Sequence, residues 1–388
     1  MARLGDAFVL IRNGASIKQT EGAGGIPITR IETIANREVD RNKFGYAGIP
    51  DIHKYSDYVL QDEDILMSHI NSEKHLGKAA IYKKIGNEII IHGMNLLVLR
   101  ANPEIVCSKY AFYYFETPFF RQKIIKITKK SVNQASFTVT ALKDVEIPLP
   151  SLKIQKDVAS TLDRLSELVS LRKHQLAKLD ELVKARFVEM FGDLTRNPKK
   201  WKKEPLGNHV NLLSGFPFDS TGYANSGVKI CGGLIIMPGR INWQDCKWWP
   251  NPVGYENYLL ADGDIVMALD RPWISEGFKI ALISKDDLPS LLIQRTARIR
   301  AEDMNQLFVY FLLQDEAFSI HCNVTGSLVP HISSKDIKSY PVIVPPMALQ
   351  DDFAAFSQKV NNQKPLIQQS LDQLELLKKS LMQEYFGR

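Results

Sequence analysis

A long amphipathic segment at residues 151–192 constrains the fold of this chain more than any other stretch. Its apolar residues are spaced alternately four and three apart, which is the period of a coiled-coil seam, and only Arg172 interrupts it. The seam residues are Val158, Leu162, Leu165, Val169, Leu176, Leu179 and Val183. Pro148 and Pro150 precede the segment and Gly192 follows it, as is typical of residues that flank a helix. The pattern predicts one long helix whose apolar face needs a partner.

The same segment recurs about 195 positions later in the chain. The matching residues are Gln155, Asp157, Leu176, Leu179, Leu182, Lys184, Glu189, Phe191 and Gly192 in the first copy, and Gln350, Asp352, Leu371, Leu374, Leu377, Lys379, Glu384, Phe386 and Gly387 in the second. One constant offset indicates a duplication rather than two unrelated core helices. Pro365 interrupts only the second copy, which predicts that this helix is kinked or restarts there.

The region that precedes each helical segment is also repeated, at an offset near 200. The matches are Leu4-Gly5 with Leu206-Gly207, residues 58–67 with 258–267, Gly77 with Gly277, and Arg100-Ala101 with Arg300-Ala301. They fall on predicted strands and turns, whereas the loops between them differ almost completely. A rigid scaffold has therefore been kept twice while its loops diverged, which is how recognition surfaces are commonly built.

Within the first copy, short apolar runs predict strands at residues 64–67, 79–82, 88–92 and 96–99. An aromatic-rich stretch at 108–127 predicts a helix, and a polar loop follows it. Residues 193–205 read as a linker that carries four lysines around Trp201. These lysines are interpreted either as a solvated basic loop or as phosphate contacts.

The predicted fold class is α+β, with two similar globular α/β domains separated by two long antiparallel coiled-coil helices in a pseudo-twofold arrangement. The domains are residues 1–145 and 206–345, the helical regions are 146–192 and 346–388, and the basic linker is 193–205. Each helix alone would expose its seam, and an antiparallel pair is the simplest way for two similar units to bury it.

Composition limits the classes of function. The chain has 388 residues and a formal net charge of +6, which permits nucleic-acid binding without establishing it. Its four cysteines form no CxxC pair, which favours reduced thiols in a cytoplasmic protein, and neither a signal peptide nor a membrane span is expected. The Asn/Asp-Pro-Pro-Tyr motif of amino methyltransferases, a GxxxxGK[ST] phosphate loop, HExxH and GxSxG are all missing from the sequence. We therefore expect a non-catalytic chain.

Two unlike reading surfaces in a pseudo-twofold protein suit duplex DNA, and they predict a bipartite, non-palindromic site. The repeated order of globular domain and long helix resembles the specificity subunit of Type I restriction–modification systems over nearly the whole chain. The features that carry the resemblance are the Tyr-x-Leu-x-x-x-Asp-Ile-x-Met runs at 58–67 and 258–267, the proline-rich lead-ins with Gln155 and Gln350, and the Phe-Gly-Asp exit at 191–193 with its Trp201 linker.

The resemblance implies that each globular domain is a target recognition domain. It further implies that the chain binds double-stranded DNA and two copies of a methyltransferase subunit, with restriction subunits joining the full complex. No cofactor is expected in this chain, and S-adenosylmethionine, ATP and Mg²⁺ are expected in the partner subunits.

Residues that read DNA need hydrogen-bonding side chains on loops, with arginine to guanine and asparagine or glutamine to adenine as the common pairs. In the first domain the candidates are Ser68, His69, Asn71, Lys74, His75, Lys78, Lys129, Lys130, Asn133 and Gln134. In the second they are Asp270, Arg271, Trp273, Lys279, Gln294, Arg295, Asn323, Thr325, Ser327 and His331. Each is weighed against being an ordinary solvated residue, and many are expected to contact phosphate.

Two alternatives to the specificity subunit stay open from the sequence. One is a self-sufficient DNA methyltransferase or endonuclease with degenerate motifs, which would modify or cut DNA alone. The other is a scaffold that binds only protein, which would show no salt-sensitive affinity for duplex DNA.

Overall fold

A computed structural model describes residues 1–20, 24–34, 38–131, 134–322 and 330–387. The chain divides into two compact units, the first comprising Met1–His174 and Ile367–Arg388 and the second comprising Gln175–Leu366. Each unit contains one mixed α/β domain and parts of two long helices. No helix in the described part of the chain is long and apolar enough to cross a membrane.

The first unit is built on a four-stranded antiparallel sheet whose strands, in order across the sheet, are Phe8–Asn13, Leu96–Ala101, Ile65–Ser68 and Ala79–Ile81. Its strands are β1 (Ala2–Arg3), β2 (Phe8–Asn13), β3 (Gln19–Thr20), β4 (Ile26–Ile28), β5 (Gly45–Ala47), β6 (Ile65–Ser68), β7 (Ile70–Asn71), β8 (Ala79–Ile81), β9 (Leu96–Ala101), β10 (Lys129–Lys130), β11 (Ala135–Ser136) and β12 (Glu146–Ile147). Its helices are α1 (Leu4–Ala7), α2 (Ser108–Phe115), α3 (Pro118–Ile127), α4 (Val139–Lys143) and α5 (Leu152–Phe191), the last continuing into the second unit. Short 3₁₀ turns lie at Ile31–Ile34, Arg41–Lys43, His53–Tyr58 and Glu73–His75.

Three of the four strands predicted in the first unit are confirmed as β6, β8 and β9. Strand β6 is buried along its whole length, as a continuous apolar run in the middle of a sheet should be. The strand predicted at 88–92 is wrong, because Ile91 forms only isolated bridges with Ile28 and Val59.

The aromatic stretch at 108–127 forms two helices rather than one. Helix α3 starts afresh at Pro118, where a proline needs no N–H, and the Thr117 hydroxyl accepts a hydrogen bond from the Phe120 N–H. The break lets α2 place Tyr110 and Tyr114 in the core while α3 adds Phe120.

The second unit repeats the sheet of the first, and its strands, in order across the sheet, are Val210–Ser214, Thr296–Ala301, Ile265–Ala268 and Ile280–Leu282. Its strands are β13 (Lys203–Pro205), β14 (Val210–Ser214), β15 (Val228–Cys231), β16 (Ile236–Met237), β17 (Arg240–Ile241), β18 (Lys247–Trp249), β19 (Ile265–Ala268), β20 (Trp273–Ile274), β21 (Gly277–Phe278), β22 (Ile280–Leu282), β23 (Ser290–Leu292), β24 (Thr296–Ala301) and β25 (Pro341–Ile343). Its helices are α6 (Gln306–Gln314), α7 (Glu316–His321), α8 (Ser334–Ser339), α9 (Met347–Asn361) and α10 (Lys364–Phe386), the last continuing into the first unit. Short 3₁₀ turns lie at Leu206–Asn208, Ser220–Gly222, Glu256–Tyr258 and Lys285–Asp287.

The duplication extends to unusual backbone conformations. Positive φ angles recur at three pairs of matching positions, which are Glu63 and Gly263, Gly77 and Gly277, and Asn95 and Arg295. L-residues rarely adopt this region, so its recurrence at Glu63 and Gly263 and at Asn95 and Arg295 shows that the turns at these matching positions are alike.

One ion pair is repeated inside each domain. Arg100 makes a two-point contact with the buried carboxylate of Asp64, with nitrogen–oxygen distances of 2.8 and 2.7 Å. Arg300 makes the same contact with Asp264 in the second unit, at 2.5 and 2.8 Å. Such planar, charge-assisted pairs fix the strand that carries the arginine against the turn that carries the aspartate.

In the first unit, α5 and α10 run antiparallel. Lys173 on α5 pairs with Glu375 on α10 at 2.7 Å, while Phe386 at the end of α10 joins the core that contains Val158 and Leu162. Phe386 lies against the rings of Tyr110 and Tyr114, with centroid distances of 5.1 and 5.8 Å. The predicted seam is confirmed, since each of its residues on α5 is buried or half-buried.

In the second unit, the remainder of α5 packs against α9 and the start of α10. Phe187 and Phe191 of α5 contact Phe353 of α9, and Asp180 pairs with Lys364 at 2.5 Å, so these segments are antiparallel too. The predicted interruption at Pro365 is confirmed as a restart, because α9 ends at Asn361 and Pro365 is the second residue of α10.

The repeated glutamines attach each long helix to its own α/β domain. The side-chain oxygen of Gln155 accepts the Cys107 N–H at 2.9 Å, and its amide donates to the carbonyls of Ile105 and Pro150. Gln350 likewise accepts the Asn305 N–H at 2.9 Å and donates to the Pro345 carbonyl. Both side chains are buried with their hydrogen bonds satisfied, which explains why glutamine occurs in both copies.

One linker lysine, Lys199, caps the end of α5, which neither interpretation from the sequence anticipated. The Lys199 ammonium donates to the carbonyls of Glu189 and Met190, each at 2.9 Å, and the Trp201 ring N–H donates to the Phe191 carbonyl. The last carbonyls of a helix lack partners within it and carry partial negative charge, so a lysine stabilises them.

Candidate nucleic-acid interface

In the first unit, the structure joins the two polar segments that carry the predicted site residues. Strand β11 pairs with β7 on one side and β10 on the other, forming a three-stranded sheet. The register places Asn71 opposite Ala135, and Lys130 opposite Ala135 on the other side. Lys130 also pairs with Glu73 at 2.9 Å. The two segments therefore form one surface, which we call the first edge.

The first edge carries a concentration of positive charge. Lys74, Lys129, Lys130 and Gln134 are exposed, and His75 is half-buried. The pKa of His75 is lowered, first by burial and then by the neighbouring charges of Lys78, Lys74 and Arg121. Arg121, on helix α3, was not among the predicted residues, and its guanidinium is held by the carbonyls of Glu73 and Leu76. A cluster of cations with this exposure is suited to binding an anion such as phosphate.

Two predicted residues of the first unit have buried side chains. Ser68 is 3% exposed and His69 is 4% exposed, and the His69 ring lies edge-on to Phe137 with centroids 6.2 Å apart. Neither side chain is presented to solvent in this conformation.

Acidification between about pH 6.5 and 4 is expected to destabilise the first unit through His69 and His92. Burial lowers the pKa of His69 to about 4 and that of His92 to about 3. An unfolded histidine binds a proton near pH 6.5. The unfolded chain therefore binds more protons in this window, and stability that is fully present above about pH 6.5 falls as the pH falls.

Urea unfolding followed across this pH range measures the effect. Glutamine at positions 69 and 92 should flatten the pH dependence, whatever it does to stability at neutral pH. Glutamine at His53, whose side chain is 91% exposed, is the matched control and should leave the slope unchanged. An equally steep slope without His69 and His92 would contradict this account.

In the second unit, Asp270 draws together the residues predicted at three separate places in the sequence. Its Oδ2 lies 3.2 Å from Nε of Arg295, and its Oδ1 lies 2.5 Å from Nδ1 of His331. Asp270 and His331 also form an antiparallel bridge, and the Arg271 N–H donates to the Pro330 carbonyl. We call this surface the second edge, and it occupies the same place in its unit as the first edge does in the other.

Arg271 and Lys279 form a second positive feature on this edge. Arg271 is exposed with a φ of 45°, whereas Lys279 is only 6% exposed. The pKa of Lys279 is lowered by burial and further by the charge of Arg271. Trp273 is half-buried and stacks on Phe278 across the β20-β21 hairpin, with centroids 4.6 Å apart, so its ring is engaged within the protein.

The remaining predicted residues divide into those that the structure places and those that it does not describe. Gln294 is half-buried and precedes the exposed Arg295 in the turn before β24. Asn133, Asn323, Thr325 and Ser327 lie outside the described residues. The sequence reasoning missed Asn95, which holds in the first unit the position that Arg295 holds in the second; its offset of about 200 from Arg295 was the available signal.

Comparisons with known proteins agree with this duplicated architecture. The family described as the type I restriction modification DNA specificity domain matches residues 1–181. A putative type I restriction enzyme MjaX specificity subunit from Methanocaldococcus jannaschii is 30% identical over 400 residues, covering 98% of this chain and 90% of the relative. The type I restriction enzyme EcoAI specificity subunit from Escherichia coli is 31% identical over 233 residues, covering 58% of this chain and 39% of that protein.

The fold is also found in a solved structure. The crystal structure of a Type I restriction–modification S subunit from M. genitalium aligns with a TM-score of 0.60 and 13% identity, covering 99% of this chain and 95% of that chain. At that identity the likeness concerns the fold alone, whereas the relative from M. jannaschii is similar in sequence over nearly its whole length. The chain belongs to the family of type I restriction enzyme specificity subunits, and its role is DNA sequence recognition without catalysis of its own.

Proposed function

We propose that the chain reads a bipartite, asymmetric DNA site, with one half recognised by each α/β domain. The observation that carries this proposal is the pair of edges at matching places next to the two duplicated sheets. The sheets share their strand order and left-handed turns, while the edges carry different side chains. A shared scaffold gives both domains the same way of approaching a duplex, and different edges give each a different base preference.

The charges on the two edges support contact with the DNA backbone. Lys74 and Lys129 are exposed on the first edge, and Arg271 is exposed on the second. Each phosphate neutralised by such a residue releases counterions, so affinity should fall steeply with salt. Measuring the shift of a random duplex at low and high salt distinguishes this function from that of a scaffold that binds only protein.

As a member of a type I system, the chain works with modification and restriction subunits, and we propose that its helices bind two methyltransferase subunits. The duplication of the helical region supports this number. Apolar side chains remain exposed on the helices in both units, including Leu171 and Leu376 in the first and Leu182 and Leu366 in the second. S-adenosylmethionine, ATP and Mg²⁺ then belong to the partner subunits and not to this chain.

We also propose that the complex acts in the cytoplasm. The four cysteines are Cys107, Cys231, Cys246 and Cys322, and all of them are free. Free thiols are usual in a reducing compartment, which supports this location.

Exchanging residues 1–145 for the first domain of another specificity subunit is expected to change one half of the recognised site and to leave the other half unchanged. The reason is that each edge is formed by residues of one domain alone. Sequencing of the methylome in cells that carry the hybrid and its methyltransferase partner measures both halves at once.

The reciprocal exchange of residues 206–345 is the matched control, and it should alter only the other half. A hybrid in which both halves change together would refute the assignment of one half-site to each domain.

A further inference from the structure

Asn95 and Arg295 occupy the same position in the two units. Each is the second residue of a two-residue turn that leads into a central strand of the four-stranded sheet. In the first unit that strand is β9, which lies between β2 and β6, and in the second it is β24, which lies between β14 and β19. Ser68 lies opposite Leu96 in the first unit, and Ala268 lies opposite Thr296 in the second, so the registers agree. The φ angles are also alike, at 80° for Asn95 and 64° for Arg295.

The backbone does not explain the choice of arginine at this position. Asparagine is among the residues that tolerate a positive φ best, whereas arginine has no such preference. Both side chains are exposed, so packing does not explain the choice either. A side chain that is unfavourable for its backbone and makes no core contact is best explained by what it binds.

The surroundings of Arg295 hold one end of its guanidinium and leave the other end open. Its Nε is 3.2 Å from Asp270 Oδ2, and the side chain is 75% exposed. The contact with Asp270 is made through Nε, and the exposure of the side chain leaves the rest of the guanidinium accessible to solvent. Two parallel N–H donors in a fixed plane match the O6 and N7 acceptors of guanine.

The surroundings of Asn95 offer different chemistry. The position of Asp270 is taken by Ile70 in the first unit, so no carboxylate is supplied there. The backbone of Asn95 lies beside the buried His69 ring, while its exposed side-chain amide makes no hydrogen bond to the described residues. A side-chain amide presents a donor N–H and an acceptor oxygen side by side. This pattern matches the N7 acceptor and the N6 amino donor of adenine.

We propose that this turn position is a specificity position in both domains, where Asn95 reads an adenine in one half-site and Arg295 reads a guanine in the other. The inference rests on the proposed function, because it assigns bases within the two half-sites. Asp270 is a positioning residue in this scheme, since it acts on DNA only through Arg295.

Reciprocal substitution tests the proposal in the complex with the methyltransferase subunit. Asn95→Arg gives the first domain the residue that the second domain has at the matching position, and Arg295→Asn does the reverse. Arg295→Asn also suits the left-handed backbone better, so folding should be retained. The probe is a library of random-sequence duplexes, from which bound molecules are selected and sequenced, with methylome sequencing as the second readout.

The expected result is a change at one base pair in one half-site for each variant. Arg295→Asn should shift the preference there from guanine towards adenine, and Asn95→Arg should shift its own position from adenine towards guanine. A bidentate base contact discriminates roughly 5- to 150-fold, so each shift should be of that size. Asp270→Asn should reduce the guanine preference at the same position and leave the other half-site unchanged.

The outcomes that overturn the inference differ from those that overturn the proposed function. If Arg295→Asn weakens binding to all sequences equally and leaves the consensus unchanged, Arg295 is a phosphate contact, and the inference fails while bipartite recognition stands. If Asn95→Arg leaves its half-site unchanged, the inference fails for the first unit. If the unsubstituted complex selects no bipartite consensus, the proposed function itself fails.

Discussion

Alanine at Phe191 or at Phe386 is expected to cost the unit that contains it roughly 3–5 kcal/mol of folding free energy. Phe191 is 1% exposed and lies 4.7 Å from the ring of Phe308 and 5.7 Å from that of Phe353, measured between centroids. Phe386 is 3% exposed and lies against Tyr110 and Tyr114. Each ring fills the junction between a long helix and an α/β domain, so its removal leaves a cavity that close-packed neighbours cannot fill.

Hydrogen exchange resolves the two effects because the substitutions lie in different units. Phe386→Ala should speed exchange in α2 and have little effect on α6. Phe191→Ala should speed exchange in α6 and have little effect on α2. Leu376→Ala and Leu182→Ala are matched controls on the same helices, with 68% and 48% exposed side chains. They should change stability by less than about 1 kcal/mol. If the controls are as damaging as the phenylalanine variants, the junctions are not the anchoring points.

Leucine in place of Arg100 is expected to cost about 3–5 kcal/mol by leaving a buried carboxylate without its partner. The Asp64 side chain is fully buried, and Arg100 supplies both of its charged contacts while the Gln61 N–H donates at 2.7 Å. The cost arises from the unpaired charge rather than from the loss of the pair itself. Without the arginine, the buried aspartate loses the interaction that offsets most of the free-energy cost of removing its charge from water.

The double variant Asp64→Leu/Arg100→Leu separates these two contributions. It removes both charges and should recover most of the stability lost by Arg100→Leu alone, as measured by denaturant unfolding. Asp264 and Arg300 allow the same cycle to be run in the second unit. If the double variant is as unstable as the two single losses added together, the penalty of an unpaired charge is not the cause.

Most of the fold could be predicted from the sequence because each weak pattern of apolar, proline and glycine residues occurs in both copies of the duplication. The seam from Val158 to Val183 was visible through its period, and its partner was visible through its repeat in the second helical region. The strand at 88–92 was mispredicted because an apolar run fits both a strand and an extended segment with isolated bridges. The role of Lys199 was not predicted because its partners are helix-end carbonyls, and a sequence does not show which side chain reaches a backbone group.

The candidate site was predicted as separate segments, and only the structure joins them. Pairing of β7 with β11 brings Asn71 beside Ala135, a long-range contact that no local pattern specifies. The association of Asp270 with Arg295 and His331 is likewise tertiary. Asn95 was overlooked because a single asparagine in a turn is common, and its importance depends on the alignment of two backbones.

The boundary between the units affects how this polypeptide matures on the ribosome. Gln175–Leu366 is one continuous stretch, so the second unit can fold once that stretch has emerged. The first unit needs Phe386 to complete a core that includes Leu4, so residues near Leu4 wait for a segment that is made much later. Premature termination within α10 would therefore leave the core around Leu4 incomplete, far upstream of the break.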